Sequence, residues 1–151
     1  MDMTKSLTPS LPCMCASLRR ASRALTQLYE EALRPVGLRA TQFTILQTLS
    51  LVGEVTQGEL GQILAIDSTT LTRTLNIMGR RGWIAKRRGE DRREWRMRLS
   101  KAGKTQFKQA FPHWEKAQTR LRRQLGEELS NNLMKLTQKV TNALIDKGES
   151  L

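Results

Sequence analysis

Apolar positions recur at steps of three and four through most of the chain, which predicts a largely helical protein. Leu18, Ala21, Leu25, Leu28, Ala32 and Leu33 share one face of a segment from Pro12 or Cys13 to about Arg34. Arg19, Arg20, Arg23, Glu30 and Glu31 take the other face, and Pro35 and Gly37 stop the helix. Thr41 is the expected cap of a second helix, with Phe43, Ile45, Leu46 and Leu49 inward and its end near Gly53. Val55 and Thr56 read as a brief strand, followed by a short helix carrying Leu60, Ile63 and Leu64. Leu71, Leu75 and Met78, spaced i, i+4 and i+7, mark the core face of the next helix. Asp67 or Ser68 can cap its start, and Gly79 and Gly82 bracket its end.

The period then changes. A strand from Trp83 to Arg88, a turn at Gly89, Glu90 and Asp91, and a second strand from about Glu94 to Leu99 predict a β-hairpin. Ser100 is the expected N-cap of a long helix toward Gly126, with Phe107, Ala110, Phe111, Trp114 and Leu121 on its apolar side. A break or bend is expected near Pro112, which lacks a backbone donor and crowds the preceding turn. Ser130 opens a last helix, Asn131 to Lys147, striped by Leu133, Leu136, Val140, Ala143 and Leu144. Residues 1–11 read as a flexible arm, and 12–151 as one domain. The fold class is mainly α with a small β-hairpin (α+β).

Charge narrows the partner. The 151 residues carry 26 Lys and Arg against 14 Asp and Glu, a formal net charge of +12 and a pI of about 10.7. A polyanion is the first expectation; an anionic membrane surface is the second. No apolar run approaches the ~20 residues of a bilayer span. The N-terminus lacks the apolar core of a signal peptide, so a cytoplasmic location is expected. Cys13 and Cys15 are too close for a disulfide framework. One histidine, His113, and no Ser/His/Asp, metal-ligand or phosphate-loop constellation argue against an enzyme, a metal site or a cofactor.

The basic residues concentrate where the two patterns meet. From Arg80 to Arg98 there are nine Lys or Arg against three acids, Glu90, Asp91 and Glu94. The helix before this hairpin turns Ser68, Thr69, Thr72, Arg73 and Asn76 outward as candidates for DNA contact, with Thr70 a further candidate expected to point partly inward. A helix of small hydrogen-bonding side chains beside an arginine-tipped hairpin suits double-stranded DNA, the helix in the major groove and the tip on the backbone or in the minor groove. Arg73 is a candidate for guanine or for phosphate; Arg87, Arg88 and Arg92 are candidates for phosphate. Gln57 and Thr41, at helix starts, are candidates for phosphate contacts. A solvated basic hairpin beside an ordinary surface helix is the bland alternative.

The run D-R-R-E-W-R-M-R-L-S-K-A-G after a helix and within a hairpin resembles the winged helix-turn-helix of the MarR family of bacterial regulators. The family's wing signature, Asp-x-Arg and then a hydrophobic-Leu-Thr/Ser-x-x-Gly run, falls on Asp91, Arg93, Leu99, Ser100 and Gly103, with serine at the hydroxyl position. The resemblance implies a winged helix-turn-helix over about 40–100, with dimerisation helices at about 12–34 and 101–147. It implies Arg93 in the minor groove, Asp91 bracing the wing, and a homodimer on a pseudo-palindromic operator. It also implies a repressor released by an effector, a small aromatic or lipophilic compound. Phe107, Phe111, His113 and Trp114 are the candidates for an effector pocket between the dimerisation helices and the winged unit. Cys13 and Cys15 are read first as dimer-interface packing and second as an oxidant sensor. Trp83 and Trp95 are read as hairpin packing. The rival function is a sequence-indifferent architectural DNA-binding protein.

Overall fold

The computed structural model describes residues 9–145. Among them the chain runs α1 (Met14–Leu33), a 3₁₀ turn (Arg34–Val36), α2 (Ala40–Val52), β1 (Val55–Thr56), α3 (Gln57–Leu64) and α4 (Ser68–Arg80). It continues through β2 (Ile84–Arg88), β3 (Trp95–Leu99), α5 (Lys101–Leu125) and α6 (Glu127–Ile145). Most of the expected arm and the end of the last helix at Lys147 lie outside the described residues. The arm's described part is held rather than loose. Arg20 Nη2 donates to the Pro9 carbonyl at 2.8 Å, and Ser17 Oγ to that of Leu11 at 3.1 Å.

The hairpin gains a third strand. β1 lies antiparallel to β3, giving the order β1-β3-β2, with Val55 opposite Met97 and Thr56 opposite Arg96. Leu71, Leu75 and Met78 from α4, with Phe43, Ile45, Leu46 and Leu49 from α2, enter the core against Met97 and Leu99. Of the apolar residues on α3, Leu60 is buried and Ile63 is half exposed.

Helix ends follow local chemistry where a side chain is at hand. Asp67 caps α4 by accepting from Thr70 N at 2.9 Å, and Ser100 caps α5 by accepting from Gly103 N at 3.0 Å. α4 runs through Gly79; the left-handed residue is Gly82, with φ 75°, and Trp83 N returns to Met78 O at 3.1 Å. Thr41 does not cap α2. The N-cap is Arg39, whose N–H donates to Gln42 Oε1, and Glu30 on α1 accepts from Ala40 N at 2.9 Å. A carboxylate from a neighbouring helix has taken the part of a local cap.

α5 is also continuous through Pro112. Pro112 and Lys108 lie on the solvent side, where water can take the carbonyl that loses its partner, while Ala110 and Ala117 stay buried on the other side. α6 begins at Glu127, not beyond Ser130. Gly126 makes the break, Glu127 and Glu128 occupy the first turn, and buried Ser130 donates its hydroxyl to Gly126 O at 2.7 Å.

Of α1, only Leu33 is buried; in α6, only Ser130. Met14, Leu18, Leu129, Met134, Leu136, Val140 and Leu144 are exposed on the chain by itself. The apolar stripes read from the sequence are there, but the chain's own core leaves them open.

Candidate nucleic-acid interface

α4 presents a row of short polar groups because its apolar residues recur every three or four positions and leave the opposite face to Ser68, Thr69, Thr72, Arg73 and Asn76, all exposed. Several of these are already hydrogen-bonded. Gln57 Nε2, at the start of α3, donates to Thr72 Oγ1 at 2.7 Å, which locks the two helices of the helix-turn-helix together. Asn76 Oδ1 accepts from Lys86 Nζ at 3.4 Å, linking α4 to the wing. Thr70 is exposed rather than inward, and its hydroxyl donates to Asp67 Oδ2 at 2.7 Å. Those two Thr70 contacts hold the Asp67 carboxyl below the usual aspartate range. Ser68, Thr69 and Arg73 make no side-chain hydrogen bond or ion pair among the described residues and project into solvent.

Pairing in β2 and β3 sets Arg88 against Trp95 and Arg87 against Arg96. Successive strand residues face opposite sides, so Lys86, Arg88 and Trp95 lie toward α4, and Arg87, Arg96 and Arg98 lie away from it. Residues 89–94 form the tip. Gly89 N donates to Glu94 O at 2.9 Å and Glu94 N to Asp91 O at 2.9 Å. Asp91 Oδ1 accepts from the Arg93 backbone N–H at 3.0 Å, so its brace on the wing is a backbone contact. The Arg88 guanidinium lies over the Trp95 ring, 4.4 Å from its centroid, and also donates to the Arg92 carbonyl. The side chains of Arg92 and Arg93 are exposed. Trp83 is buried in the hairpin base, whereas Trp95 is 41% exposed and serves the tip.

Glu54, just before β1, went unread in the sequence. Its carboxylate accepts from Arg87 Nε at 3.0 Å and from Arg87 Nη2, and from Arg96 Nε at 3.1 Å, with Arg98 Nε at 4.0 Å. The Arg87 hydrogen bond leads in holding the Glu54 carboxyl below the usual glutamate range, and the pairing raises Arg87 in turn. Arg87 is therefore engaged with a carboxylate on the chain by itself. Thr41 lies in the first turn of α2 and makes no side-chain hydrogen bond among the described residues.

The four effector-pocket candidates do not share one cavity in the single chain. A hollow of about 520 Å³ lies at the root of the wing, lined by Leu49, Leu99 and Phe107 together with Glu54, Arg98, Lys104 and Lys108. Phe111 and Trp114 instead pack in one aromatic cluster with Phe107 and Phe43, Trp114 stacked on Phe43 and Phe111 edge-on to Phe107, at centroid separations of 5.4 to 5.9 Å. His113 lines a separate hollow of about 310 Å³ beside Glu31 and Arg120. Residues four apart on α5 share a face, but 113 and 107 do not, and that separates them. Cys13 and Cys15 are both exposed at the start of α1. Among the described residues no three His, Cys, Asp or Glu side chains are grouped to hold a metal ion, and no helix is long and apolar enough to cross a membrane.

Helix, turn, helix and an arginine-tipped wing, flanked by α1, α5 and α6, define a winged helix-turn-helix protein. Residues 38–95 match the model of the MarR family. The chain is 30% identical over 92 residues to YwoH of Bacillus subtilis, an uncharacterised HTH-type transcriptional regulator, covering 61% of this chain and 67% of that one. It is 34% identical to the Mycobacterium tuberculosis transcriptional regulator MosR, solved in complex with DNA, at a TM-score of 0.76 over 87% of this chain and 98% of that one. Escherichia coli MarR, 23% identical over 84% and 92% of the two chains at a TM-score of 0.76, shares the fold. The chain belongs to the MarR family.

Proposed function

We propose that this protein is a sequence-specific DNA-binding transcriptional regulator that acts as a homodimer on a pseudo-palindromic operator and releases it on binding an effector. One observation carries the reading. α4 exposes Ser68, Thr69, Thr72, Arg73 and Asn76 as a continuous polar face next to a wing whose tip carries Arg92 and Arg93. The α4 face enters the major groove, and Arg93 follows the adjoining minor groove, where negative potential rewards a guanidinium. Arg88 and Arg92 shape the tip and reach phosphate. MosR, which shares a third of its residues with this chain, has been solved on DNA, and that supports the same use of the surface here.

The open apolar faces of α1 and α6 support a twofold dimer in which each copy covers the other's stripes. The described residues then act as a single domain, with α1, α5 and α6 as the dimerisation part. The wing-root hollow, where apolar residues stand beside Arg98, Lys104 and Lys108 against the single carboxylate of Glu54, is the effector site this geometry favours, and its excess of cations suits a small aromatic anion. Of the residues read as effector candidates, Phe107 is the one that lines it. Exposed Cys13 and Cys15 offer oxidation as a second trigger. The protein acts as a repressor in the cytoplasm, without enzymatic activity.

Selection from a random duplex pool, followed by anisotropy on the selected and a scrambled duplex, tests the reading. The expected ratio of affinities is ~10³ or more. Equal affinity for both duplexes would instead support an architectural, sequence-indifferent DNA protein.

A further inference from the structure

Three arginines on one side of a two-stranded ribbon repel one another unless something lies between them. Arg87 and Arg96 face each other across β2 and β3, and Arg98 follows on the same side. Continuing the β1–β3 register back by one residue sets Glu54 opposite Arg98. The Glu54 side chain, 24% exposed, holds two hydrogen bonds from Arg87 and one from Arg96. Those guanidiniums lie along the outer side of the sheet, next to a tip whose other arginines are in solvent. An exposed ion pair contributes little to stability. One carboxylate against three guanidiniums does, however, decide how much of the wing's charge is available to a polyanion.

We infer that Glu54 is a positioning residue of the DNA interface, one that holds Arg87 and Arg96 back from phosphate so that the wing meets the duplex through its tip. General affinity for any duplex is lowered, and discrimination among duplexes gains. The inference rests on the DNA-binding reading above and adds to it a specific role for one acid.

Glu54→Gln removes the charge and keeps the shape. Binding of wild type and variant to the selected duplex and to a scrambled duplex is measured between 50 and 400 mM salt. Each arginine that newly reaches phosphate steepens the salt slope by ~0.9. One freed arginine in each of two lobes therefore steepens it by about 2. The expected result is that steeper slope on the scrambled duplex, unchanged or tighter binding to it at low salt, and a selected-to-scrambled ratio reduced roughly tenfold. Adding Arg87→Gln to the variant returns the slope toward that of the wild type. A structural tether alone predicts weaker binding to both duplexes at an unchanged slope. That result, or no change at all, overturns the inference while leaving the DNA reading intact. A wild type that binds neither duplex removes both. Far-ultraviolet circular dichroism confirms folding, and if Glu54→Gln does not fold, Arg87→Gln alone in the wild type is the second variant. It should leave the slope unaltered, and a slope shallower by about 2 would show that Arg87 was on phosphate already and overturn the inference.

Discussion

A single methyl group at Gly103 should separate α5 from the wing. The glycine is in the first turn of α5, buried, and a Cβ built on it would lie 2.0 Å from the Trp83 carbonyl oxygen and 3.0 Å from its carbon. Both neighbours are backbone, so no side chain can swing aside. The same carbonyl accepts from Ser100 N at 3.0 Å, the bond that joins the end of β3 to the base of β2. Relief requires the helix and the strand to part by more than ~1 Å, an overpacking cost of about 1–3 kcal/mol. Loss of the Ser100 hydrogen bond adds about 1 kcal/mol, and alanine's better helix propensity returns about 1 kcal/mol. The net expectation for Gly103→Ala is a loss of about 1–3 kcal/mol, or about 2–12 °C in Tm for a chain of this size. Gly79→Ala is the matched control. Gly79 is inside α4 at an ordinary helical φ with nothing within 4 Å of its Cβ position, so the same methyl should stabilise by about 0.5–1 kcal/mol. Thermal unfolding of both variants at one fixed chain concentration reads the two signs. A Gly103→Ala protein as stable as its parent would refute the close approach of α5 to Trp83.

Other consequences are smaller but as specific. Ala65 ends α3 in the left-handed region at φ 51°, where a Cβ costs about 1–2 kcal/mol, so Ala65→Gly should raise Tm by a few degrees in the same scan. Trp95→Ala removes the surface on which Arg88 rests. Affinity for the selected duplex should fall about 3- to 10-fold while Tm barely moves, and Trp95→Phe should recover part of that affinity; equal binding by all three forms would deny the tip any role in aiming the wing. Because the Glu54 carboxyl is held below its usual range, chiefly by Arg87, its contribution to stability is complete above the ordinary glutamate value of about 4.3 and is lost as pH falls through its lower, folded value. The stability difference between wild type and Glu54→Gln should therefore be flat from pH 5 to 7 and shrink below pH 4. A difference that grew toward acid would reverse the sign of the argument.

What could be read from the sequence was what depends on neighbours in the chain. Leu71, Leu75 and Met78 are buried as their spacing predicts, and Asp67 and Ser100 cap the helices they precede, because a cap reaches only three residues. The exposed face of α4 was legible for the same reason, whereas the part of Asp91 in the wing came only with the family resemblance of its motif. Contacts made by folding were not. Glu54 meets Arg87 and Arg96 across separations of 33 and 42 residues, through a two-residue strand whose partner no local pattern names. Glu30 supplants Thr41 at the head of α2 from ten residues before Ala40. Pro112 carries a strong local rule, yet the rule concerns one missing hydrogen bond on the wet side of a helix well packed on its dry side. The aromatic residues of α5 were legible as a cluster, but their division between a hollow and the aromatic packing around Phe43 was not, since periodicity places residues on faces and does not say what the opposing helix fills.

The most direct test of the central claim is the affinity of the wild-type protein for its selected duplex before and after five base pairs are inserted between the two halves. Two α4 helices fixed about one helical turn apart cannot follow a half-turn of rotation, so binding should weaken by at least ~100-fold, toward that of a scrambled duplex. Undiminished affinity after the insertion would contradict paired reading heads in successive major grooves.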